Sequence, residues 1–214
     1  MRLASIYLTS IICGFCLMAL EILGGRLLYP SFGSSIDVWA AIITVFILSL
    51  SIGYVIGGRI ADRSRDNLPL AWIILAAGCI YLTLPSYALR VSEAFGAAMG
   101  DLRFGVLVGG LALFLLPSLL LGMVSPILVK LAFVSAERVG RTTGTLYAIG
   151  SIGNVLGILI TDYVLLEYVP LNATLIYMGA VLALLGLTHI ALRMRADAAA
   201  TAPAVPAGAA AGAA

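Results

Sequence analysis

The chain has 214 residues, 62% of them hydrophobic and only 10% charged, with a mean hydropathy of +1.13. A soluble domain is near half apolar and about a quarter charged, and a chain of this size must still show much surface to its solvent; the composition therefore excludes a water-soluble globule and points to lipid. The formal net charge of +2 is too small to imply a nucleic-acid partner.

About 20 predominantly apolar residues span the hydrocarbon core as a helix, and six stretches qualify. Leu3 to Leu28 is the first. It is too long for a signal peptide and lacks the small-residue cleavage site, so it reads as retained. Cys13 and Cys16 form a C-x-x-C within it, without the βαβ context of a redox motif; both read as apolar helix lining, and Cys79 as buried in a later apolar run. Val38 to Ile60 is the second span. It closes on Gly53-Tyr54-Val55-Ile56-Gly57-Gly58-Arg59-Ile60-Ala61-Asp62-Arg63, where the last residues are expected to form a short charged loop. Leu68 to Leu89 is the third, and Phe104 to Leu121 the fourth, running on through Pro126 to Phe133. Thr145 to Leu166 is the fifth and Leu171 to Leu192 the sixth. Gly153-x-x-x-Gly157 has the small-residue spacing that lets helix backbones approach. The expected fold class is all-α: a polytopic membrane domain of six helices over residues 1–195, then a disordered Ala/Pro/Gly-rich tail over 196–214 with no large apolar side chains beyond Val205.

Lys and Arg set the orientation. The loops on the side of the N-terminus hold Arg2, Arg59, Arg63, Arg65, Lys130, Arg138, Arg141, Arg193 and Arg195, whereas the other side holds Arg26, Arg90 and Arg103. The positive-inside rule then predicts cytoplasmic termini, with the sequon Asn172-Ala173-Thr174 outside, hard against a helix start and not expected to be glycosylated.

Charges at membrane depth are costly and face a bundle interior or water. Glu21 lies about 27 Å along the first helix at 1.5 Å per residue, which puts it near the outer boundary of a span that ends at Leu28. Asp162 falls near the outer end of the fifth. Glu21 and Asp162 are therefore expected to help form an acidic outer vestibule for a cation; alternatively, Glu21 pairs with Arg26 or caps a neighbouring helix. Those two residues are about 140° apart on a helix, so pairing needs a distortion near Gly24 and Gly25. At the inner side, Gly58, Arg59, Asp62 and Arg63 read either as a latch, with Asp62 accepting from a helix N-terminus, or as a plain positive anchor. His189 is the only histidine and reads as structural, since metal and haem sites want further ligands. No metal, cofactor or catalytic site is expected, because no phosphate-binding or nucleophile motif occurs.

Two resemblances add to this reading. Gly58, Ile60, Ala61, Asp62 and Arg63 are similar to the loop between the second and third helices of major facilitator transporters, G-x-L-A-D-R-x-G-R-R, although Arg65, Asp66 and Asn67 replace its end. Six helices are also half of that family's twelve. Three further motifs resemble the membrane region of membrane-fused spermidine synthase-like proteins: Glu21-Ile22-Leu23-Gly24-Gly25-Arg26-Leu27-Leu28-Tyr29-Pro30-Ser31-Phe32-Gly33-Ser34-Ser35 with Trp39, Leu121-Gly122-Met123-Val124-Ser125-Pro126, and Val139-Gly140-Arg141-Thr142-Thr143-Gly144. In that family the helical region is commonly joined to a soluble aminopropyltransferase domain, which this sequence lacks; the resemblance carries no catalytic residue onto it. It implies a non-catalytic module of the bacterial inner (plasma) membrane that handles a polyamine or other small cation, or that anchors a separate synthase-like partner; the matched positions include Glu21 and Arg26 but not Asp162, which the depth of the charges adds, and these three are the expected substrate-binding residues. A half-size transporter acting as a homodimer and a structural subunit of a larger complex are the alternatives.

Overall fold

The computed structural model describes residues 3–64, 66–98, 102–133 and 139–201. Within them the backbone is helical and contains no strand: α1 (Leu3–Phe32), α2 (Ile36–Arg63), α3 (Leu68–Ala98), α4 (Leu102–Ala132), α5 (Val139–Ile160), a π-helical turn (Thr161–Leu165), α6 (Leu166–Tyr168) and α7 (Leu171–Thr201). In lipid every backbone donor and acceptor must be satisfied within the protein, and a helix does this inside one segment. Six helical units are long and apolar enough to cross a membrane, with α5, the π turn and α6 forming one of them. The all-α polytopic architecture is therefore that expected from composition.

The boundaries differ from the expected ones, and the differences matter. The apolar runs mark the hydrocarbon part only, whereas each helix continues into the interface. α1 runs to Phe32 with Pro30 inside it, since Pro costs one backbone bond and α1 ends within the next turn. It stops at Gly33, which adopts φ +71 and donates its N–H to Tyr29 O at 2.8 Å, a left-handed helix cap that favours glycine. Ser35 then caps α2, its hydroxyl accepting from Val38 N at 3.4 Å. Arg59 to Arg63 form the last helical turn of α2 and not a loop, because charged side chains do not interrupt a helix. α7 continues to Thr201, past the expected domain end at 195; the remainder of the expected tail, 202–214, lies outside the described residues.

The main packing pairs are α1 with α5, α2 with α4, and α3 with α7. Glycines set the first two. A methyl group added at Gly157 would lie 2.9 Å from Phe15 Cα, and one at Gly153 would lie 2.8 Å from Ile11 Cα, so the expected G-x-x-x-G does bring α5 onto α1. Gly53 and Gly57, also four residues apart, do the same for α2: a methyl group at Gly57 would meet Met123 Cα at 2.7 Å and Pro126 Cγ at 2.9 Å on α4. Gly78, Gly179 and Gly186 close the α3–α7 pair. Exchanging α1 with α4, α2 with α5 and α3 with α7 turns the α1–α5 pair into α4–α2 and leaves α3–α7 unchanged. The three main pairs are thus those of two three-helix repeats of opposite orientation, whereas α3 packs on α4 far more extensively than α7 does on α1.

The core lies between these pairs, with Leu20, Leu23 and Leu28 of α1, Ile42 and Phe46 of α2, Ile74, Tyr81 and Leu84 of α3, and Phe114 of α4 all buried. Phe46 and Phe114 meet with ring centroids 5.9 Å apart. Buried Tyr81 donates its hydroxyl to Cys16 O at 2.8 Å, satisfying a polar group that lipid could not. Cys13 and Cys16 are buried free thiols, as expected of helix lining, but Cys79 is exposed on the outer side of α3.

Candidate functional site

The helices present two ends, one where α1 begins (the Leu3 face) and one where it ends (the Phe32 face). A cleft of about 150 Å³ lies between α1, α2, α4 and α5. Counting 1.5 Å per residue from the helix ends, its lining spans the middle of the bundle and the half nearer the Leu3 face. Six polar side chains line it: Ser10, Tyr54, Ser125, Tyr147, Ser151 and Asn154. Among the described residues none of the six makes a hydrogen bond. The two glycines beside them bring the groups close. A methyl at Gly14 would lie 2.7 Å from Asn154 Oδ1, and one at Gly150 would lie 2.9 Å from Ser10 Oγ. Unengaged hydroxyls and an amide at membrane depth must meet water or a ligand, because hydrocarbon offers them nothing. This site was not legible beforehand. Its signal is a repeat of small and polar residues at Tyr147, Ser151 and Asn154, three and four apart on one helix face, which reads equally well as packing.

Glu21 belongs to the same stripe of α1. Ser10, Gly14, Glu21 and Gly25 fall within about 60° of one another around the helix. Because α1 ends at Phe32, Glu21 sits about 5 Å past the middle of the helix. It is thus inside a hydrocarbon core about 30 Å thick, deeper than a span ending at Leu28 implies. It is partly buried and has no ion-pair or hydrogen-bond partner among the described residues, Arg26 included.

A second cavity, of about 560 Å³, opens at the Phe32 face and is lined by Arg26 and Asp162 together with Gly25, Tyr29, Ser34 and Trp39. Asp162 is carried by the π turn at the end of α5. Glu21 does not line this cavity. The expected vestibule of two acids is therefore a cavity of one acid and one base, with the second acid deeper in the bundle.

At the Leu3 face, Gly58 has nothing within 4 Å of an added Cβ, and Arg59 and Arg63 point outward. Asp62 does not cap a helix N-terminus. It lies in the last turn of α2, where the helix dipole disfavours an acid, and pairs at 3.8 Å with Lys130 of α4, both side chains largely exposed. The better closed contact is Arg193 of α7 to Asp66 of the α2–α3 turn, bidentate at 2.7 and 3.1 Å. Arg65 and Arg138 lie outside the described residues.

His189 is buried and its Nε2 lies 2.9 Å from Thr9 Oγ1. Thr9 donates its only hydroxyl proton to Ser5 O at 2.8 Å, so the imidazole donates from Nε2 and leaves Nδ1 bare, buried and unpartnered. The pair ties α7 to α1. Among the described residues no group of three or more His, Cys, Asp or Glu is arranged to hold a metal ion. No family model matches the chain, and no curated protein or solved structure is detectably similar to it.

Proposed function

We propose that the chain is a non-catalytic membrane module that holds a small cation of the amine class in the cleft between α1, α2, α4 and α5, with Glu21 as its counter-charge. One observation carries this reading: six unengaged polar side chains face a cleft at membrane depth, on the α1 stripe that bears an unpaired carboxylate. Hydroxyl and amide oxygens accept hydrogen bonds from ammonium groups, and the faces of Tyr54 and Tyr147 suit a cation. Glu21 does not line the cleft itself but lies one helical turn beyond Leu17, which does, and an intramembrane acid is by default a mark of an ion or substrate path. The resemblance to the membrane region of spermidine synthase-like proteins favours a polyamine, and the excess of Lys and Arg at the Leu3 face favours cytoplasmic termini in an inner (plasma) membrane.

The inverted pairing of two three-helix units supports a second reading, a half-size transporter that completes its path with another copy. Binding and uptake of labelled putrescine and spermidine, measured in detergent and in proteoliposomes, test both. Binding that falls at least about tenfold in Glu21→Gln, a loss of about 1.4 kcal/mol, supports the cation site. Binding without uptake favours the module, and uptake by a dimer favours the transporter. A folded wild-type protein that binds neither amine overturns the proposal.

A further inference from the structure

We propose that the cavity at the Phe32 face is a binding site for the headgroup of an amine phospholipid, a zwitterion that carries a phosphate and a primary ammonium on one short linker. This inference does not rest on the cation cleft, which is a separate cavity with a separate lining.

The first argument is charge. The cavity is lined by one guanidinium and one carboxylate, Arg26 and Asp162, and neither has an ion-pair or hydrogen-bond partner among the described residues. Opposite charges that share a cavity without meeting leave room for a ligand bearing the reverse pair. Guanidinium matches a phosphate with parallel N–H donors. A carboxylate accepts from an ammonium that still has its protons. A simple cation would meet Arg26 and a simple anion would meet Asp162, so the lining selects against both.

The second argument is depth. Arg26 lies about 9 Å before the end of α1, and Asp162 about 9 Å before the end of α6. Trp39 lies in the first turn of α2. All three sit where the headgroups of a bilayer begin. Tyr29, Trp39, Tyr163 and Tyr168 are exposed at this level, an aromatic belt of the kind found at membrane interfaces.

The third argument is construction. A methyl group at Gly25 would lie 3.1 Å from the Trp39 ring, so the indole rests directly on α1 and forms a fixed wall. Asp162 is presented by a π turn, a distortion that occurs frequently at functional sites. The volume, about 560 Å³, is within the roughly 300–1,000 Å³ of small-molecule sites.

Trp39 reports on its own cavity. The only other tryptophan is Trp72, in the first turns of α3 at the opposite face, so a Trp72→Phe protein gives a single-site signal. That protein is reconstituted with brominated phosphatidylethanolamine or brominated phosphatidylcholine at equal mole fraction, and quenching of Trp39 is read. The expected result is a preference of about fivefold for the ethanolamine lipid, the scale of one charge-assisted hydrogen bond at an interface. Choline has no N–H to offer Asp162, so Asp162→Asn should erase the preference while Arg26→Gln weakens quenching by both lipids. Both side chains are exposed and unpartnered, so the variants should fold, which detergent elution profiles check. Adding soluble phosphoethanolamine separates the sources: relief of quenching assigns the cavity to the headgroup alone, and its absence beside an intact preference assigns it to the whole lipid. Equal quenching by the two lipids in the wild type, or an undiminished preference in Asp162→Asn, overturns the proposal.

Discussion

Gly57 and Gly58 are adjacent in sequence on α2 and opposite in environment, which makes them a paired test of how the bundle is held. A Cβ at Gly57 would lie 2.6 Å from Met123 O, 2.7 Å from Met123 Cα and 2.9 Å from Pro126 Cγ. Two of these atoms are backbone and the third is a proline ring, so none can swing aside. A Cβ at Gly58 meets nothing within 4 Å. Replacing Gly by Ala inside a helix gains up to about 1 kcal/mol from reduced backbone freedom, and that gain is common to both sites. It cancels in the difference, which leaves the overpacking cost at Gly57, about 1–3 kcal/mol. Gly57→Ala should therefore be less stable than Gly58→Ala by that amount, a factor of about 5–150 in the unfolding equilibrium. Denaturant titration in mild detergent, followed by far-UV circular dichroism, measures it. A Gly57→Ala protein as stable as Gly58→Ala would refute the α2–α4 contact as described.

Two further predictions concern polar contacts. Thr9→Val removes the acceptor of the buried His189 N–H and should cost about 1–3 kcal/mol, whereas Thr9→Val with His189→Leu removes both partners and should recover much of that loss; additive single-site losses in the same titration would contradict the pairing. Asp66→Asn should lower stability by no more than about 1 kcal/mol, because the Asp66–Arg193 pair is half-exposed, and Asp62→Asn by less, since its pair with Lys130 is longer and more exposed. A larger effect at Asp62 than at Asp66 would restore the latch expected at the end of α2.

Six spans were legible because lipid demands long apolar runs, and nothing else in a chain of this composition produces them. Helix ends were less legible. Leu28 ends the apolar run of α1, but the helix needs a backbone reason to stop, and that reason is Gly33. The four residues between change the meaning of Glu21 from boundary charge to membrane-depth charge. Arg59 to Arg63 misled in the same way, since polarity was read as a break in structure. Of the two glycine pairs that hold the bundle, Gly153 and Gly157 stood out in an otherwise apolar stretch, whereas Gly53 and Gly57 were absorbed into a motif that runs to Arg63. The cleft was hidden for a different reason. Ser10, Tyr54, Ser125 and Asn154 come from four helices, and only packing brings them to one cavity. The π turn under Asp162 has no sequence signal, so the placing of Asp162 and Arg26 in one cavity could not be read from spacing.

The pairing of α1 with α5 also has a kinetic consequence for biosynthesis. α1 emerges from the ribosome before α2 to α7, but the helix that covers its small-residue stripe is completed only at Ile160. At roughly 5–20 residues per second, α1 waits some 6–25 s in or beside the insertion machinery. During that interval its mid-membrane acid and its exposed glycines lack their eventual neighbour. α2 waits for less time, because α4 is complete by Ala132. The order of translation thus leaves the helix with the mid-membrane acid longest without its partner, and early assembly of this bundle is the stage at which cellular insertion factors have most to shield.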